Sequence, residues 1–149
     1  MTLKEKIYEA YLRMIDDKIL FFQKALAGLR ESGSNETKST AGDKYETALA
    51  MLHIEQENTN RQLKEVLKQK LLFSKIDPAI STSTIINGSL IKTNKGYLFL
   101  SVALGKNNVG GINVIALSPD SPLGQKIIGL KVNDKVEING IQYIIESIA

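Results

Sequence analysis

From Tyr8 onward the apolar side chains of Tyr8, Leu12, Ile15, Ile19, Phe22, Leu26 and Leu29 recur at alternating steps of four and three. Only a helix places such a series on one face, and the heptad-like spacing asks for a second helix to cover it. Tyr11, Met14, Phe21 and Ala25 widen that face. Thr2 and Glu5 form the T-x-x-E pattern in which a hydroxyl and a carboxylate satisfy the first unpaired amides, so the helix is expected to start close to residue 3. Ser32, Gly33, Ser34 and Asn35 favour turns, and the spacing predicts a stop near Ser32.

Thr40 and Asp43 read as the cap and first acidic residue of a second helix that runs to about Ser74, ahead of Asp77-Pro78. Its stripe is Leu49, Leu52, Gln56, Thr59, Leu63, Val66 and Phe73, with Lys70 in the same phase. Each helix would hold roughly 30 residues and extend on the order of 45 Å at 1.5 Å per residue. Two striped helices joined by a short polar loop pack antiparallel. The expectation is a helical hairpin over residues 1–75 with its tip at about 32–42. That tip sits in the segment ESGSNETKSTAGDKYE, residues 31–46, which carries Glu31, Glu36, Asp43 and Glu46 among Lys38 and Lys44. Most polar, Ser/Thr-rich loops are solvated turns.

Beyond Pro78 and the polar Ser81–Thr84 junction the period changes to two, and residues 76–149 are expected to form a small β-rich domain. Ser89–Thr93 reads as a strand, Asn94-Lys95-Gly96 as a turn, and Tyr97–Ala103 as a strand with apolar residues on both faces, hence central in its sheet. Lys106–Gly111 reads as a glycine- and asparagine-rich loop and Ile112–Leu117 as the next strand. Ser121-Pro122 caps a short helix ending near Ile128, where Gly129 stops it. Asn139-Gly140 is a two-residue hairpin signal between Val136–Ile138 and Ile141–Ile148. The fold class is α+β.

Composition narrows the chemistry. With 149 residues the chain has room for one small domain and an elongated element, and its 19 basic and 16 acidic side chains leave a net charge of only +3. Residues 1–75 hold 13 bases and 11 acids and residues 76–149 hold 6 and 5, so neither half is a basic arm built for duplex binding. Cysteine is absent and His53 is the sole histidine. Disulfides, thiolate metal sites, cysteine nucleophiles and HExxH spacing are thereby excluded. A lone helical histidine is most often a surface residue. The charged start MTLKEKIYEAYLRMIDD lacks the apolar run of a signal peptide, and the other apolar runs are too short to span a bilayer. A cytoplasmic location without membrane contact is expected.

The stretch from Ile112 to Ile148, INVIALSPDSPLGQKIIGLKVNDKVEINGIQYIIESI, resembles the C-terminal domain of the Gre transcript-cleavage factors. Ser118-Pro119, Ser121-Pro122-Leu123-Gly124, Ile128-Gly129 and Asn133-Asp134 appear in that family's order, with Asn133 where the family commonly has glycine. Asparagine tolerates the positive φ such a turn needs. The resemblance implies an FKBP-like domain carrying a coiled-coil hairpin that enters the secondary channel of RNA polymerase. Ser118, Pro119, Ser121, Pro122, Leu123 and Gly124 become partner-binding candidates, and RNA polymerase becomes the partner.

In that family, tip carboxylates help hold a polymerase-bound magnesium and so stimulate cleavage of backtracked RNA. Here the family's acidic pair and its Asn-Ala-Glu-Tyr string are missing, leaving Glu36, Asp43 and Glu46 as substitutes. A polymerase-binding elongation regulator is therefore expected ahead of a cleavage stimulator. It would have no enzymatic activity and no cofactor of its own, magnesium entering only jointly with polymerase. Nucleic acid would be met only indirectly, inside the elongation complex, and the chain would be a monomer in solution. Two further readings are a prolyl isomerase, for which the C-terminal part has few aromatics, and a homo-oligomeric coiled-coil adaptor, which predicts a stable dimer.

Overall fold

The computed structural model of the chain describes the backbone of residues 1–39 and 43–149 and the side chains of residues 1–33 and 45–149. It is a mixed α+β structure in which two long helices, α1 (Leu3–Ser39) and α2 (Asp43–Ser74), precede a six-stranded sheet. The strands are β1 (Leu90–Thr93), β2 (Gly96–Leu100), β3 (Gly105–Val109), β4 (Ile112–Leu117), β5 (Lys135–Ile138) and β6 (Ile141–Ile148), with one short helix, α3 (Pro122–Ile127). Two compact units divide the chain. One holds Met14–Lys70, and the other holds Met1–Arg13 together with Leu71–Ala149.

In the Met14–Lys70 unit the two helices run antiparallel, with Asp16 paired to Lys70 at 2.7 Å and Gly33 set against Leu52. Ile15, Ile19 and Leu26 of α1 and Thr59 and Val66 of α2 are buried. Leu49, Leu52, Gln56, Leu63 and Lys70 are half-buried in the phase that the sequence predicts for α2. The α1 stripe needs two corrections here. Phe22 is only half-buried, and Phe21, expected to widen the face, is 66% exposed. With one partner helix, a helix fully covers only the narrow two-in-seven stripe, so Phe21 is left in solvent while Met14 and Ala25 of the flanking row are half-buried.

The stop expected near Ser32 is also corrected: α1 continues to Ser39. Poor local propensity is overridden where a helix has a partner to pack on. A β-carbon at position 33 would stand 2.8 Å from Leu52 Cδ2, so the residue that reads as a breaker lies against the end of the Leu52 side chain, which a larger residue would displace. Of the tip expected at 32–42, residues 32–39 are thus helical, while Thr40, Ala41 and Gly42 lie outside the described residues.

In the second unit the strands lie in the order β3-β4-β2-β1-β6-β5, all neighbours antiparallel except β2 and β4. As the two-sided apolar pattern predicts, β2 is interior and both its faces are covered. One face packs Ile85, Ile91, Leu98, Leu100, Leu117, Ile127 and Ile145 into a core. The opposite side of β2 carries Phe99, which meets Tyr11 at 6.2 Å and Phe73 edge-on at 5.9 Å. Here Ile7 and Tyr11 are fully buried while Tyr8 and Leu12 of the expected stripe are half-buried. The first turns of α1 pack on the sheet as well as on Phe73, which rotates the buried face by one position. Tyr8 still stacks on Phe73 at 4.6 Å.

Lys106–Gly111, expected as a loop, is corrected to an edge strand and a tight turn. Residues 105–109 pair with β4, and only Gly110-Gly111 turn, both at positive φ (59° and 84°). Two successive positive φ values are what a two-residue hairpin loop requires. Asparagines are poor strand formers. On this edge their side chains face solvent or each other, and Asn108 Nδ2 donates to Asn113 Oδ1 across the pair at 2.9 Å. The Asn139-Gly140 hairpin forms as read, with φ of 50° and 78°.

Candidate functional site

The segment that leaves β4 is built by short-range bonding among the residues singled out from sequence. Ser118 Oγ accepts from Asp120 N at 3.1 Å, and Ser121 Oγ donates to the Ser118 carbonyl at 2.7 Å while accepting from Gly124 N at 3.0 Å. Ser121 is the N-cap of α3 and Pro122 occupies its first turn. Gly124 is buried against this cap: a β-carbon there would meet the Ser118 carbonyl oxygen at 2.1 Å. Leu123 packs on the core beneath, Pro119 is half-buried and Pro122 exposed. The six candidate partner-binding residues are therefore contiguous, but their hydroxyls are committed to the cap. What they offer outward is a rigid surface with Asp120, Pro122, Gln125 and Lys126 exposed on it.

A second turn braces the first. Gly129 N donates to Ile85 O at 2.7 Å and Ile85 N to Leu130 O at 2.9 Å, tying the end of α3 to the chain before β1. Asn133 takes φ of +77°, a left-handed conformation that asparagine tolerates better than most residues. Its N–H donates to Ile145 O at 2.7 Å, and Asp134 returns the bond by accepting from Ile145 N at 2.9 Å. The Asp134 carboxylate accepts from Lys131 N at 2.8 Å. Asn133-Asp134 thus locks the turn onto β6.

The acidic candidates are dispersed along the chain's helices. Glu36 lies in α1 and Asp43 begins α2, and the side chains of both lie outside the described residues. Glu46 is exposed on α2. His53 is exposed, as expected of a lone helical histidine, and borders a shallow notch with Leu26, Arg30 and Gln56. Among the described residues no three His, Asp or Glu side chains converge as a metal-ligand set, and no helix is long and apolar enough to cross a membrane.

Two features escaped the sequence. Tyr11 donates its hydroxyl proton to the carbonyls of Gly105 at 2.8 Å and Val114 at 3.1 Å, sharing it between the two strands. Burial pushes its pKa up to about 12, partly offset by a backbone hydrogen bond from Ala116. Lys4 is buried with its ammonium on the Ile80 carbonyl. Desolvation lowers its pKa and the Asp77 carboxylate partly restores it. Lys4 borders a cleft of about 420 Å³ at the start of α1, lined also by Glu5, Pro78, Ile80, Leu90 and Tyr97. Both features join residues far apart in the chain, so no local pattern announces them.

Comparison with family models, curated proteins and solved structures returns no match. The functional reading rests on these residues and on the motif order from Ser118 to Asp134.

Proposed function

We propose that this protein is an RNA polymerase-binding elongation regulator of the Gre type, in which the paired helices act as a coiled-coil probe of the polymerase secondary channel and the sheet-bearing unit as an FKBP-like docking domain. The observation that carries the reading is the Ser118–Asp134 segment. Ser121 and Gly124 shape the cap and Asn133 and Asp134 the turn, each in the order found in the Gre C-terminal domain. The antiparallel helices, 37 and 32 residues long, are the second support. At 1.5 Å per residue the longer extends about 55 Å, long for a protein of this size.

Regulation is favoured over stimulated cleavage because the acids of the 31–46 segment are spread through a Ser/Thr- and Lys-bearing sequence and none reproduces an adjacent acidic pair. In the cleavage reading, Glu36, Asp43 or Glu46 would add oxygen ligands to a magnesium held by polymerase. A transcription assay on a stalled, backtracked polymerase complex separates the two. Wild type is expected to change elongation without shortening the RNA 3′ end, and the double variant Glu36→Ala/Asp43→Ala is expected to lose that effect while still binding. Magnesium-dependent release of 3′ RNA fragments by wild type would instead establish the cleavage reading. Equal behaviour of wild type and double variant would remove the tip from the mechanism.

A further inference from the structure

The tripeptide Ile-Asn-Gly occurs twice, as Ile86-Asn87-Gly88 and Ile138-Asn139-Gly140, and no other asparagine of the chain precedes a glycine. Identical flanks give the two asparagines the same local chemistry. The fold treats them differently. Gly88 is buried, and its N–H donates to the Leu100 carbonyl at 2.6 Å. The turn around it is closed by Ser89 N on the Ile86 carbonyl at 3.0 Å and by Ile86 N on Ser89 Oγ at 2.9 Å. Asn139 and Gly140 are both exposed, at the tip of the β5–β6 hairpin. Among the described residues neither the Gly140 N–H nor the Asn139 carboxamide has a hydrogen-bond partner.

We propose that Asn139 is a site of spontaneous deamidation from which Asn87 is protected. Water is the only co-reactant. The Gly140 nitrogen gives up its proton and attacks Asn139 Cγ, the bond from Cγ to the side-chain nitrogen breaks, and that nitrogen leaves with the proton as ammonia. The product is a five-membered succinimide. Water then opens the ring at one of its two C–N bonds. Opening at Cγ yields aspartate, and opening at the main-chain carbonyl yields isoaspartate, in which the chain runs through the β-carbon. Glycine, lacking a side chain, leaves the attacking nitrogen uncrowded. The closed hairpin holds Asn139 in a left-handed turn conformation, with φ of 50°, so the tip opens before the ring closes. That opening is local, because the tip is an exposed loop and β5 is an edge strand with β6 as its one strand neighbour. At Asn87 the same step has to release the Gly88–Leu100 bond and uncover a buried glycine. Isoaspartate adds a main-chain carbon to a loop that accommodates two residues of positive φ, and it adds a negative charge. The change therefore falls on the pairing of β5, whose Val136 packs on the core.

The proposal does not depend on polymerase and is tested without it. The full chain is held at pH 7.4 and 37 °C, sampled over weeks and digested briefly with trypsin, which releases Ile76–Lys92 and Val136–Ala149, each with one asparagine. Their aspartyl and isoaspartyl forms are separated chromatographically and quantified by mass spectrometry. The same two peptides, made synthetically, give the rates without the fold and are expected to convert alike. In the folded chain Asn139 should convert at least about fivefold faster than Asn87, the difference that one to two hydrogen bonds make in an opening equilibrium. Unfolding the chain in urea should abolish that difference. The proposal is overturned if the two sites convert equally in the folded chain, if Asn87 is the faster, or if Asn139 stays unchanged while its synthetic peptide converts.

Discussion

Gly124 and Ser121 show how much a single atom decides in this fold. With the Ser118 carbonyl 2.1 Å from where a β-carbon would stand, Gly124→Ala cannot be accommodated without moving backbone. Overpacking of that kind costs about 1 to 3 kcal/mol. Ser121→Ala removes the cap acceptor of Gly124 N and should cost about 1 kcal/mol. Thermal melts check both, with Gly124→Ala expected to fall further. Tyr11 adds a pH signature. Its folded pKa of about 12 lies above the ordinary value of 10, so the stability from its buried neutral phenol is fully present below pH 10 and is lost as pH rises through 12. Tyr11→Phe should be the less stable protein at pH 9 by about 0.5 to 1.5 kcal/mol for the lost hydrogen bonding. Between pH 10 and 12 the gap in urea midpoints should close, and a constant gap would contradict the assignment. The cap and the Asn133 turn were legible in the sequence because their partners lie within a few residues. Tyr11 and Lys4 were not, since their acceptors are 94 and 76 positions away.

At the scale of elements, the helix pair holds a thin core. Leu26 is buried, and Leu26→Ala should cost on the order of 2 to 5 kcal/mol through the cavity it leaves. Phe22→Ala, at a half-buried site, should fall at or below the lower end of that range. A Phe22 variant that melts lower than the Leu26 variant would show the stripe to be misphased. The half-exposed Asp16–Lys70 pair adds under about 1 kcal/mol. The phase of α2 could be read in advance because one partner helix fixes one stripe. The beginning of α1 could not, because the sheet competes for the same side chains. Likewise β3 was read as a loop because the sequence Gly-Lys-Asn-Asn shows low strand propensity. Pairing with β4 and the Gly110-Gly111 turn decide its state instead.

At the scale of the whole molecule, the proposed Gre-type reading of a helical pair followed by a sheet makes one claim about association. The regulator reading predicts a monomer that engages polymerase, and the adaptor reading predicts a dimer that does not. Glu36→Ala/Asp43→Ala is expected to bear on the action of the complex more than on stability, the helix-dipole contribution of an acid at the start of α2 being roughly 0.3 to 1 kcal/mol. The most direct measurement is co-elution of the full chain with core RNA polymerase on size exclusion, with the mass of the free chain recorded by light scattering in the same run. The account predicts a free monomer and a stoichiometric complex with core enzyme. A stable dimer that elutes wholly apart from polymerase would contradict it.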